Sequence, residues 1–80
     1  MFQYYFTFRS ITGAQRGLRA LEGAGVRGAM TRAPKFLSVR GCGYALKVRD
    51  PDAAAAAFSY YRVPYEGAYR VDAHGGAAPL

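Results

Sequence analysis

YALKVRDPDAAAAAFSYY, residues 44–61, is the stretch from which the rest of the chain can be read. Tyr44, Leu46 and Val48 alternate with Ala45, Lys47 and Arg49, the period-2 pattern of a strand with one buried face. Asp50-Pro51-Asp52 then opens a helix. Asp50 caps it, Pro51 sits at the first helical position without losing a hydrogen bond, and Asp52 complements the helix dipole. The run Ala53–Ala57 has the highest helix propensity available and lets the helix lie close to a sheet. Phe58 and Tyr61 are its expected anchors.

The same strand-then-helix order occurs at the start of the chain. Phe2, Tyr4, Phe6 and Phe8 alternate with Gln3, Tyr5, Thr7 and Arg9, and the aromatic content favours a strand. Thr12-Gly13-Ala14-Gln15 fits a capping box with Thr12 as the cap. Ala14, Leu18, Leu21 and Ala24 follow at helical spacing, and Gly23 and Gly25 are expected to stop the helix.

A weaker strand is expected from Val26 to about Thr31, and an irregular connection follows over residues 32–42. After the second helix, Pro64 precedes a last strand. In it Tyr65, Tyr69 and Val71 alternate with Glu66, Ala68 and Arg70. The resulting order, β-α-β-β-α-β, predicts an α+β ferredoxin-like fold: a four-stranded antiparallel sheet with two helices on one face. We expect a single domain over residues 1–72. Residues 73–80, DAHGGAAPL without its first Asp, have no period and are expected to form a flexible C-terminal tail.

Composition narrows the function classes. Eighty residues bury a modest core, and a lone cysteine leaves no disulfide within the monomer and points to a reducing compartment. The opening MFQYYFTFRS lacks a basic n-region and an apolar h-region, and no apolar run reaches the ~20 residues of a membrane span. A cytoplasmic protein is expected, with no membrane partner. The net charge of +6 arises from nine Arg and two Lys against five acids, scattered rather than clustered.

The connection at 32–42 does not suit a bland domain. Hairpin loops usually take about 2–5 residues, and long loops in compact domains are often functional. At its end stands Gly41-Cys42-Gly43, with Arg32, Lys35, Arg40, Lys47 and Arg49 around it in sequence and no acid until Asp50. Nearby cations favour the thiolate, the reactive form of cysteine, and flanking glycines leave the sulfur sterically open. Free cysteine is also among the most buried residue types. Residue chemistry alone leaves both readings of Cys42 open.

Several segments together resemble the small bacterial and archaeal selenium/sulfur carrier protein-like family. They are YYFTFRSITGA at 4–14, PKFLS at 34–38, CGYAL at 42–46 and YEGAY at 65–69. The most specific part of the resemblance maps onto Leu37, Ser38, Cys42, Gly43 and Ala45. Val39 and Arg40 depart from it, standing where small polar residues are expected. The resemblance implies a carrier, without turnover chemistry of its own, whose Cys42 holds sulfur or selenium as a persulfide or selenosulfide. Gly41 and Gly43 would then give access, and Lys35, Ser38 and Arg40 would form the thiol environment. Sulfur- or selenium-donor and -acceptor proteins would be its partners.

Other constellations carry less. His74 is the only histidine, and a Cys42–His74 nucleophile–base pair would lack an orienting third group. One Cys and one His make half a tetrahedral metal site at best, so neither a metal nor a cofactor is expected. The alternative function is a basic RNA- or protein-binding module with a structural cysteine. Tyr5 is its candidate for base stacking, and Tyr5, Tyr65 and Tyr69 could join two copies into a homodimer.

Overall fold

The computed structural model describes residues 2–33 and 43–80. Its elements run β1 (Gln3–Thr7), α1 (Ile11–Ala24), β2 (Gly28–Arg32), β3 (Tyr44–Val48), α2 (Pro51–Tyr60), β4 (Gly67–Val71) and β5 (Ala77–Pro79). The strands form one sheet in the order β2-β3-β1-β4-β5, with every neighbouring pair antiparallel.

The class is α+β, as expected, but the sheet has five strands rather than four. The extra strand comes from the stretch read as a loose tail. Asp72 accounts for it: its Oδ1 accepts from the backbone N–H of His74 at 2.9 Å and of Gly76 at 2.8 Å. The Gly75 N–H reaches Asp72 O at 3.1 Å, and Gly75 takes a left-handed φ of 83°. This three-residue turn with a left-handed glycine returns the chain along β4, where Leu80 N–H bonds to Ala68 O at 2.9 Å. The Asp-x-x-Gly-Gly signal was in the sequence but is overlooked when the glycines are read only as flexibility.

Helix α1 is capped two residues earlier than expected. Ser10, not Thr12, is the N-cap, and its Oγ accepts from Gly13 N–H at 3.1 Å. At the other end Gly25 (φ 70°) bonds back to Glu22 O, and Val26 N–H to Leu21 O at 2.8 Å, a Schellman closure. Gly23 therefore lies inside the helix rather than stopping it. Helix α2 matches its expected start, with Asp50 Oδ1 accepting from Ala53 N–H at 3.1 Å and Pro51 in the first turn.

Both helices contribute to one core against one face of the sheet, and Phe6, Phe8, Leu21, Leu46 and Phe58 are its largest fully buried side chains. Phe58 meets Phe6 edge to face at a centroid distance of 5.0 Å, and Phe8 likewise at 5.7 Å. The buried stripe of α1 is Ala14, Gly17, Ala20 and Leu21, whereas Leu18 is half-buried and Ala24 exposed. Gly17 permits that rotation, because a Cβ there would sit 2.7 Å from Phe8 Cζ and 2.9 Å from Leu46 Cδ1. Tyr61, expected as an anchor, is instead 43 % exposed, and Phe2 at the strand start is also exposed.

The opposite face carries a second, smaller buried cluster of Tyr5, Ala45 and Val71, with Ala33 packed on it. Tyr69 and Val71 pair across from Tyr5 and Gln3 and share that face. Tyr65, four residues before Tyr69 in the expected alternation, lies on the helix side against Phe6 and Phe58. The reversal has a local cause. Glu66 N–H bonds to Thr7 O at 2.7 Å, one residue out of the β1–β4 register, which offsets the alternation before β4 begins.

Candidate functional site

Strands β2 and β3 pair from Gly28↔Val48 to Arg32↔Tyr44, and Ala33 N–H donates to Gly43 O at 2.9 Å to extend the ladder by one more pair. Residues 34–42 thus leave and re-enter at a closed hairpin mouth. The candidate residues Lys35, Ser38, Arg40, Gly41 and Cys42 lie outside the described residues, so the structure places only the mouth itself.

Gly43, bonded directly to Cys42, has φ 82°, and among the described residues no heavy atom beyond its chain neighbours lies within 4 Å of the place its Cβ would occupy. A glycine is needed there for its backbone angle; an L-residue would be strained by roughly 1–2 kcal/mol. Beside it, the Arg32 guanidinium lies 5.8 Å from the centre of the Tyr44 ring.

Of the cations counted around Cys42 in sequence, two belong elsewhere. Lys47 pairs with Ala29, and Arg49 lies beyond the last β3 residue. At ~3.3 Å per strand residue they stand about 13 Å and about 20 Å along the chain from Gly43. Proximity in an extended sequence overstated the positive charge at the mouth.

The register also shows what else lies at this end of the sheet. Thr7 pairs with both Ala45 and Gly67, so β1 ends and α1 begins there. The first turn of α1 holds no acid, leaving the positive end of its dipole uncompensated by a side chain of that turn. Arg9 and Glu66 form an ion pair of 3.6 Å here, largely in solvent, and Thr7 Oγ1 donates to Gly67 O at 3.4 Å. Sequence reading did not bring the Ser10 end of α1 to the loop mouth, because only strand pairing does so.

His74 lies in the β4–β5 turn, next to the Val71↔Gln3 end of the sheet and therefore opposite Gly43. The other member of the Cys42–His74 pair, Cys42, lies outside the described residues. No metal-binding group of His, Cys, Asp and Glu occurs among the described residues. Tyr5, the expected stacking platform, is 8 % exposed and its hydroxyl donates to Gln3 Oε1 at 2.8 Å. Its ring is not presented to a base. No described helix is long and apolar enough to cross a membrane.

No curated protein and no solved structure matches this chain. The sequence of residues 3–70, which runs from the first residue of β1 to the penultimate residue of β4, does match a known family. That span takes in both helices and the whole β2–β3 connection, and on it the chain belongs to the family described as "Putative Se/S carrier protein-like".

Proposed function

We propose that the chain carries sulfur or selenium on Cys42 and passes it between a donor and an acceptor protein. The observation that carries this reading is the hairpin mouth: Ala33 and Gly43 are already paired, so closing β2 onto β3 needs only a short turn. Nine further residues, 34–42, are inserted at that point, and the chain's one cysteine is the last of them. Family membership over residues 3–70 supports the same reading.

In the proposed step the Cys42 thiolate attacks the outer, sulfane sulfur of a donor persulfide. A new S–S bond forms to Cys42 Sγ, the donor S–S bond breaks, and the donor cysteine leaves as a thiolate. The exchange is redox-neutral and needs no cofactor. A selenosulfide donor would deliver selenium by the same displacement. Gly41 and Gly43 would leave the sulfur accessible, Lys35 and Arg40 would stabilise the thiolate, and Ser38 would offer a hydroxyl to it. No acid–base pair is invoked, in keeping with a carrier rather than an enzyme, acting in the reducing cytoplasm.

Incubation with a persulfide-loaded cysteine desulfurase, or with selenodiglutathione, followed by intact-mass measurement, tests this. Wild type should gain one sulfur from the first, and a selenium-containing adduct from the second. Cys42→Ser should gain neither. Equal labelling of wild type and variant, or of neither, sinks the carrier reading.

A further inference from the structure

Strand β2 is the outermost strand of the described sheet on one side, and β5 on the other. The two edges differ. Strand β5 is three residues long and contains Pro79, which blunts an edge. Strand β2 has five residues, GAMTR, no proline, and no side chain at Gly28. Gly28, Ala29 and Arg32 are exposed.

The ladder says which backbone groups face outward. Ala33 and Gly43 form a hydrogen-bonded pair, so the alternation of an antiparallel ladder makes Thr31↔Ala45 and Ala29↔Lys47 hydrogen-bonded pairs too. The N–H and C=O groups of Gly28, Met30 and Arg32 then point away from β3, with no strand beyond them among the described residues.

Charge marks the same edge. Extending the Gly28↔Val48 register by one sets Arg27 opposite Arg49, and Lys47 shares their face of the sheet. All three are exposed, and none has an ion-pair partner among the described residues, where the one ion pair is Arg9–Glu66. Like charges opposite one another are unfavourable. They line a shallow depression with Val26, Gly28 and Ala29. On the other face of the strand, half-buried Met30 packs against the core.

We propose that the outer edge of β2 receives an extended acidic segment of a partner protein as an additional strand. Its backbone bonds to Gly28, Met30 and Arg32. Its acidic side chains, at alternate positions, fall on the face of Arg27, Lys47 and Arg49, and its apolar ones fall on the face of Met30. Charge selects this occupant over a second copy of the chain, which would bring another Arg27 and Arg32 to the same edge. A nucleic acid would neutralise the cations but leave the outward carbonyls unpaired. The inference does not depend on Cys42.

The test uses the full chain carrying Cys42→Ser, so that it is independent of thiol chemistry, and a peptide alternating Glu and Val. Amide NMR signals of Gly28, Met30 and Arg32 should shift and their hydrogen exchange should slow on titration. N-methylating the peptide at the amides facing β2 should weaken binding about tenfold or more, since each methyl group removes a backbone bond. Arg27→Glu with Lys47→Glu, both at exposed sites, should abolish binding of the Glu peptide and admit its Lys counterpart. Met30→Pro removes an outward N–H that β3 does not use and should also block the peptide. Equal binding of the N-methylated peptide would overturn strand addition. So would concentration-dependent shifts of these amides without peptide, which indicate self-pairing, or their saturation by poly(U) with no response to the peptide.

Discussion

The sheet contains two connections between antiparallel neighbours, and they solve the same geometric problem at different lengths. Between β4 and β5 the chain turns in the three residues 73–75, held by the Asp72 carboxylate and completed by Gly75 at φ 83°. Between β2 and β3 it takes residues 34–42, re-entering the ladder through Gly43 at nearly the same φ, 82°. Both returns use a left-handed glycine. The first shows how little chain a return in this sheet requires, so the additional length of the second calls for a reason other than closure. Under the proposed carrier function, the cysteine at its end supplies one.

The comparison is tested most severely by removing the length. Replacing residues 34–42 with Asn-Gly joins Ala33 to Gly43 through a two-residue hairpin turn. We expect sulfur loading to disappear entirely while stability stays within ~1 kcal/mol of the parent, loop-length effects being small. Denaturant unfolding and intact-mass measurement on the same sample read both. A chain that no longer folds would make the connection structural and end the comparison.

Next come the two glycines. Gly43→Ala and Gly75→Ala should each cost roughly 1–2 kcal/mol, because each forces a side chain into the left-handed region. Among the described residues neither added Cβ meets an atom beyond its chain neighbours within 4 Å, so the costs should be alike. Only Gly43→Ala should also change the rate at which iodoacetamide alkylates Cys42. Matching changes in both variants would remove the special standing of Gly43. The smallest effect belongs to Asp72→Ala, which deletes two exposed backbone-to-carboxylate bonds. It should cost about 1 kcal/mol, raise exchange at His74 and Gly76, and leave sulfur loading untouched.

Much of the architecture could be read from local chemistry. The Asp50-Pro51-Asp52 start of α2, the Phe6/Phe8 and Leu46/Val48 core positions and the order of the first six elements all follow from signals within a few residues. The cap of α1 was misplaced by choosing Thr12 over Ser10, where two hydroxyl residues two positions apart compete and helix phase decides. On α1 the expected Ala14 and Leu21 are buried and Leu18 packs on the core, but Gly17 and Ala20 were missed and Ala24 is exposed, for a tertiary reason. Gly17 carries no hydrophobic weight in a periodicity, yet it lets the Phe8 and Leu46 side chains approach the helix.

By itself, the sequence determined the helices, the strands with strong alternation, the family to which the chain belongs and the presence of a single thiol. These depend on residue identity at short range. Only the tertiary structure decided which cations share a surface, that Tyr65 and Tyr69 occupy opposite faces, and that α1 starts beside the β2–β3 mouth while His74 stands at the far end. Strand register sets those relations. Register arises from pairing between segments far apart in the chain, so a one-residue offset such as that at Glu66 changes every side chain's neighbours without altering the local pattern.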